Sequence, residues 1–229
     1  MTSDVQLSPT PRSTVVRGKK RAVEDRQVLY DVLDAGMVCH LAVEVDGAPF
    51  LIPTAYGRDG NRIFLHGSTG SRSIRSMIEG KPVCVAVTLV DGVVYSRSVF
   101  HHSMNYRSAI IHGTAKVAED SEHALRTIVE HVTPGSWDYA RSPSKKELAQ
   151  TVALEIDLTE ASVKVRDGGP GEEPSDLEAN LVWAGHMPLV QSWGAPVPHE
   201  TDKAIPAHVT SRRDETSRLA TGQVSERGR

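Results

Sequence analysis

Three of the four Asp-Gly dipeptides in this chain constrain it more than anything else in it. Asp46-Gly47, Asp59-Gly60 and Asp91-Gly92 each fall between apolar or alternating runs. Asp-Gly is favoured in two-residue hairpin turns because both central residues must take positive φ. The chain therefore reads as a succession of antiparallel strands: residues 38–45 and 48–56 around the first dipeptide, 62–66 after the second, 83–90 and 93–99 around the third. Residues 83–90 are apolar at nearly every position, which predicts a strand covered on both faces. Residues 106–117 read as a long strand with a bend or bulge at Gly113, 151–158 alternate as a half-buried strand through Val152, Leu154, Ile156 and Leu158, and 161–165 form one more.

Helical spacing interrupts this pattern in four places. Residues 24–35 carry Val28, Leu29, Val32 and Leu33 and stop at Gly36, and 71–79 carry Ile74, Met77 and Ile78 before Gly80 and Pro82. Residues 119–132 carry Leu125, Ile128 and Val129 before Pro134-Gly135, and 145–150 form a short helix. Six or seven antiparallel strands with helices inserted between them, not after each one, predict a mainly β fold. A closed or nearly closed barrel is expected because closure removes exposed edges.

The 229 residues suit one domain with extensions. Residues 1–21, with Pro9, Pro11 and the basic cluster Arg17, Lys19, Lys20 and Arg21, form an N-terminal arm, and 22–166 form the barrel. Residues 167–198 form an extension whose apolar island, 181–193, packs on the barrel or on a second subunit. Trp183 and Trp193 are read as packing or interface anchors. Residues 199–229 hold too little apolar surface to offset the entropy of ordering and are expected to be disordered.

With 26 Lys and Arg against 29 Asp and Glu, scattered along the chain, the net charge is −3. That lacks the basic footprint of a nucleic-acid binder. The longest apolar run is far short of the roughly 20 residues that span a bilayer. No secretory signal is visible at the start, so a cytoplasmic location and no membrane partner are expected. Cys39 and Cys84 lie in apolar β-like runs and read as reduced core residues. His101 and His102, with His112 and His40 as further ligands, invite a metal reading. Neighbours on a strand point to opposite faces, however, and no metal site is expected.

The segment Leu65-His66-Gly67-Ser68-Thr69-Gly70-Ser71-Arg72-Ser73-Ile74-Arg75 delivers a strand through a Gly/Ser/Thr loop into a helix start. Free backbone N–H groups and the helix dipole favour an anion there, Ser68, Thr69 and Ser71 add hydroxyl donors, and Arg72 can supply a forked bond to phosphate. A P-loop ending and a dinucleotide fingerprint are both missing. The local pattern also fits a polar helix cap with a solvated arginine.

The runs VCHLAVEVDGAPFLIPTAYGRDGNRIFLHGSTGSRSIRSM and FHHSMNYRSAIIHGTAKV, followed by ASVKVRDGGP and WAGHMPL, resemble the pyridoxamine 5′-phosphate oxidase-like flavin-binding proteins, in particular the branch that includes nitroimidazole-resistance-type proteins. The resemblance covers roughly residues 17–198. It implies a Greek-key-like split β-barrel, a homodimer, and FMN held between subunits. Gly67, Ser68, Thr69, Gly70, Ser71 and Arg72 would hold the FMN phosphate, Pro53 and Thr54 would lie along the isoalloxazine edge, and Tyr106 and Ser108 would contribute from a neighbouring strand. His66 matches a histidine of this branch and would bond flavin or substrate, helping to stabilise a reduced, anionic flavin. The expected function is FMN-dependent oxidation or reduction of a small molecule such as a nitro or quinone acceptor. The alternative is a non-catalytic carrier of flavin (FMN or FAD), deazaflavin or haem. Residues 48–56 lack the basic residues of the founding oxidases, and residues 183–189 lack the arginine that clamps pyridoxine phosphate. Pyridoxamine phosphate is therefore not the expected substrate.

Overall fold

The computed structural model describes residues 6–212. The chain runs β1 (Ala22–Val23), α1 (Arg26–Ala35), β2 (Val38–Val45), β3 (Ala48–Ala55), β4 (Gly57–Asp59), β5 (Arg62–Ser68), α2 (Arg72–Ile78), β6 (Pro82–Tyr95) and β7 (Ser103–Thr114). It continues through β8 (Lys116–Val117), α3 (Ser121–Val132), α4 (Lys145–Ala149), β9 (Thr151–Asp157), β10 (Ala161–Arg166), α5 (Pro174–Ala179) and β11 (Gly185–Pro188).

Two of these three Asp-Gly pairs lie at hairpin turns. Asp46 and Gly47 take φ of 53° and 77° between β2 and β3, and Gly60 takes 56° between β4 and β5. The third pair does not. Asp91 and Gly92 lie inside the single 14-residue strand β6, where the register against β7 slips between Val90 and Gly92 as in a β-bulge. Gly92 lacks the positive φ of a hairpin turn. A Cβ there would lie 2.7 Å from the Met187 carbonyl oxygen, so this glycine lets β11 approach β6. The reversal into β7 is made by residues 96–102, which include a 3-10 turn at Val99–His101.

One sheet has the order β1-β10-β7-β6-β2-β3, with β11 added beside β6; the other has the order β4-β5-β9-β8. All pairings are antiparallel. β3 passes to β4 through buried Tyr56, and β7 passes to β8 through buried Ala115, so chain continuity joins the sheets at two corners. Their inner faces share one core: Leu41, Val85, Val87 and Ile111 from the first meet Ile63, Leu65, Leu154 and Ile156 from the second. Leu29 and Leu33 of α1 and Ile74 and Met77 of α2 complete it. The fold is the expected one, a mainly β barrel of split antiparallel sheets with few helices. Tyr56 ties two elements by donating its buried hydroxyl to the Leu33 carbonyl at 2.5 Å. On the far side of the small sheet, Phe64 and Ala153 pack against Ala124 and Ile128 of α3. A Cβ on Gly57 would lie 2.5 Å from the Thr127 carbonyl, so only glycine lets α3 lie so close to β4.

β6 is covered on one face only by the described chain. Val83, Val85 and Val87 are buried, whereas Cys84 and Ala86 are half-buried and Thr88 and Val90 exposed. Composition predicts disorder after residue 198, yet residues 207–212 form a helical turn. Two ring contacts join it to the rest of the chain: His208 meets Tyr139 with centroids 4.9 Å apart, and the Arg212 guanidinium lies 4.2 Å from the centre of the Trp193 ring. Residues 213–229 lie outside the described residues.

Candidate functional site

β5 leaves the core at Leu65 and passes through Gly67 and Ser68 to the start of α2. A Cβ on Gly67 would fall 2.6 Å from Ile74 Cδ1, so a larger residue here would have to displace the Ile74 side chain where α2 packs on β5. The turn is held by Thr69 N–H donating to the Gln150 carbonyl at 3.1 Å, Gly70 N–H to Ser68 Oγ at 3.2 Å, and Ser71 N–H to the Ser68 carbonyl at 2.9 Å. Ser71, at the N-cap of α2, makes no side-chain capping bond and pairs with Ser73 Oγ at 2.9 Å. The first-turn amides of α2 therefore lack the partner that a capping serine supplies. Arg72 Nη1 bonds Asp46 Oδ2 on the β2–β3 turn at 2.9 Å, with the two side chains 69% and 74% exposed. An ion pair so exposed is easily exchanged.

Strand alternation sets His66 apart from the helix start. Gly67 and Leu65 face the core side, where α2 packs, so His66 lies on the opposite face of β5, cross-strand from Ala153. It is exposed, and its ring has no hydrogen-bond partner among the described residues. Pro53 and Thr54 lie on β3, the terminal strand of the long sheet, opposite His40 and Cys39 of β2; Pro53 is exposed and Thr54 half-buried.

Tyr106 and Ser108 are placed elsewhere. With Ile110 they form one wall of a cavity of about 520 Å³; Lys164 on β10 flanks it, and Arg12 and Arg17 of the N-terminal arm cross it. Among the described residues no hydrogen bond or ion pair links this group to the β5–α2 loop. This cavity leaves no mark in the sequence, because no local pattern shows that the arm crosses β7 and β10. The one available signal is the alternation in β10, which sets Lys164 opposite Ser108.

The arm is anchored. Leu7 is buried in the barrel core, Ser8 N–H donates to the Ala161 carbonyl at 2.7 Å, and Arg12 Nε donates to Glu160 Oε1 at 2.7 Å. Bonds from Arg12 and Thr10 hold the Glu160 carboxyl down at about 2. Burial raises the Cys39 thiol to about 12 and also raises that of Cys84. Glu172 is held low by the Arg97 backbone N–H, Ser96 and the Arg97 side chain, which ties the C-terminal extension to the end of β6. His102 Nδ1 accepts from Ser96 N–H at 2.9 Å, which gives that ring a structural task. Among the described residues no cluster of three His, Cys, Asp or Glu side chains could hold a metal ion, and no helix is long and apolar enough to cross a membrane. The apolar island pairs with β6 through β11, with Trp183 5.8 Å from Tyr95, yet Leu181, Trp183 and Met187 stay exposed.

The two antiparallel sheets joined at their corners, with a Gly/Ser/Thr loop leading into α2, define the class as a split β-barrel. The profile of the family described as pyridoxamine 5′-phosphate oxidase matches residues 25–165, and the chain belongs to that family. Among solved structures, it is similar to a flavocytochrome from Azotobacter vinelandii, with 31% identity and a TM-score of 0.84 over 90% of this chain and 98% of that one. It is also similar to an FAD and haem binding protein from Mycobacterium smegmatis, with 34% identity and a TM-score of 0.80 over 84% and 97%. A putative 5-nitroimidazole antibiotic resistance protein from Bacteroides thetaiotaomicron shares the fold, at 22% identity and a TM-score of 0.53 over 63% and 86%. No curated protein sequence matches the chain.

Proposed function

We propose that this protein binds a flavin, FMN or FAD, together with haem, and transfers electrons between the flavin and a small molecule. The observation that carries the proposal is the near full-length similarity to two proteins whose names join flavin with haem, at 31% and 34% identity. The residues fit a flavin phosphate. The α2 amides lack a side-chain cap, Ser68, Thr69 and Ser71 supply hydroxyls, and Arg72 is held only by an exposed pair that a phosphate would displace. Pro53 and Thr54 would lie along the ring, and His66 offers a free imidazole to flavin, substrate or haem iron. Bound flavin supplies the redox chemistry, so no catalytic triad is required of the chain.

The half-buried outer row of Ala42, Cys84 and Ala86, beside exposed Leu51 and Pro53, is the apolar face a second copy would cover. A homodimer built on it would bring Tyr106 and Ser108 of one copy to the flavin held by the other. The substrate is a small molecule such as a nitro or quinone acceptor, and the protein is cytoplasmic. One observation favours a carrier that does not turn over. The carboxylates with displaced pKa values, Glu130, Glu147, Glu160 and Glu172, all serve structural bonds, none of them to a side chain of the loop. Titrating the purified protein with FMN, FAD and haemin, then adding NADH or NADPH, tests both readings. Tight binding with rapid flavin reduction supports the enzyme, tight binding without reduction supports the carrier, and no binding rejects both.

A further inference from the structure

We infer that the cavity between the N-terminal arm and the outer face of β7 and β10 is a binding site for a phosphate-bearing small molecule, with Arg17 and Lys164 as its charge partners. The cavity measures about 520 Å³, within the range of small-molecule sites, and no acidic side chain lines it. Arg12 is neutralised by Glu160. Arg17 and Lys164 have no counter-ion among the described residues, and the hydroxyls of Tyr106, Ser108 and Ser162 have no hydrogen-bond partner there. Two uncompensated cations and three unengaged hydroxyls facing one space are the complement of a doubly charged, multiply accepting oxyanion.

The arrangement is built into the fold. Register sets Lys164 and Thr88 on either side of Ser108, and Ser162 opposite Ile110. Buried Leu7 and the Arg12–Glu160 pair hold the arm over this wall. Tyr106 and Ser108 also belong to the proposed flavin site, whereas Arg17, Lys164 and Ser162 do not, so the test rests on those three.

The test uses the full chain. ADP and pyrophosphate are titrated calorimetrically, and FMN and FAD by fluorescence quenching, against the wild type, R17A, K164A, K164E and S162A. The side chains of Arg17 and Lys164 make no hydrogen bond or ion pair among the described residues, so the thermal unfolding of their variants should match the wild type; K164Q replaces any variant that does not fold. ADP and pyrophosphate should bind the wild type, weaken about ten- to a hundredfold in R17A or K164A, and weaken further in K164E and at high salt. If K164E weakens FAD but not FMN, the phosphate is that of the dinucleotide; if neither flavin responds, a free nucleotide is the ligand. If both flavins weaken equally, the cavity takes the phosphate and the α2 loop assignment falls instead. Absence of ADP and pyrophosphate binding with no flavin response, or equal affinities in wild type and variants, overturns the inference.

Discussion

Replacing Arg72 with alanine separates what this side chain does for the fold from what it would do for a cofactor. In the folded chain it makes a 2.9 Å bond to Asp46, with both side chains about seven-tenths exposed. Pairs of this kind contribute roughly 0–1 kcal/mol, so R72A should lower stability by less than about 1 kcal/mol in urea denaturation. A phosphate dianion in place of Asp46 would receive a charge-assisted bond worth about 1.5–3 kcal/mol. At about 1.4 kcal/mol per decade, the FMN Kd should rise about ten- to a hundredfold. D46A removes the competing carboxylate, so FMN affinity should stay the same or tighten by up to about fivefold. The assay is quenching of flavin fluorescence with FMN and, in parallel, riboflavin, which carries no phosphate. An FMN Kd unchanged by R72A, or an equal loss for riboflavin, would refute the placement of the phosphate at this loop.

Tyr56→Phe removes the buried hydroxyl that donates to Leu33 and should cost about 1–3 kcal/mol in urea denaturation; a loss below about 0.5 kcal/mol would mean that the bond does not hold α1 to the β3–β4 corner. Because Glu160 is held at about 2, below its ordinary 4.5, its contribution to anchoring the arm is complete above pH 4.5 and lost as the pH falls toward 2. Glu160→Gln should reproduce that loss at pH 7, making Arg12 and Arg17 early trypsin sites, and equal cleavage of variant and wild type would contradict the anchor. Burial of both thiols predicts that, at pH 8, a thiol reagent labels Cys84 slowly and leaves Cys39 unlabelled until the protein is denatured. Rapid labelling of both in the native protein would show that β2 and β6 are not packed as described.

Much of the barrel was legible because its signals are local. Asp46-Gly47 predicts a turn that the chain makes at the expected residues, and the alternation through Val152, Leu154 and Ile156 predicts β9. The same dipeptide misled at Asp91-Gly92, because a glycine inside a strand can serve a bulge or a close backbone approach as readily as a turn. The strand–loop–helix at residues 65–75 was legible as well, whereas the close packing of Gly67 against Ile74 was not, because it joins a strand to the helix that folds back on it. Adjacency across the chain leaves no local mark. β11 reaching β6, Arg212 stacking on Trp193, and the arm setting Arg17 beside Lys164 each depend on segments far apart in sequence.

The absorption spectrum of the freshly purified protein tests the central claim most directly. Flavin bands in the blue and near ultraviolet, accompanied by a haem Soret band when the host supplies haem, are the predicted result. A spectrum with aromatic absorbance alone, unchanged after incubation with FMN, FAD and haemin followed by gel filtration, would contradict it.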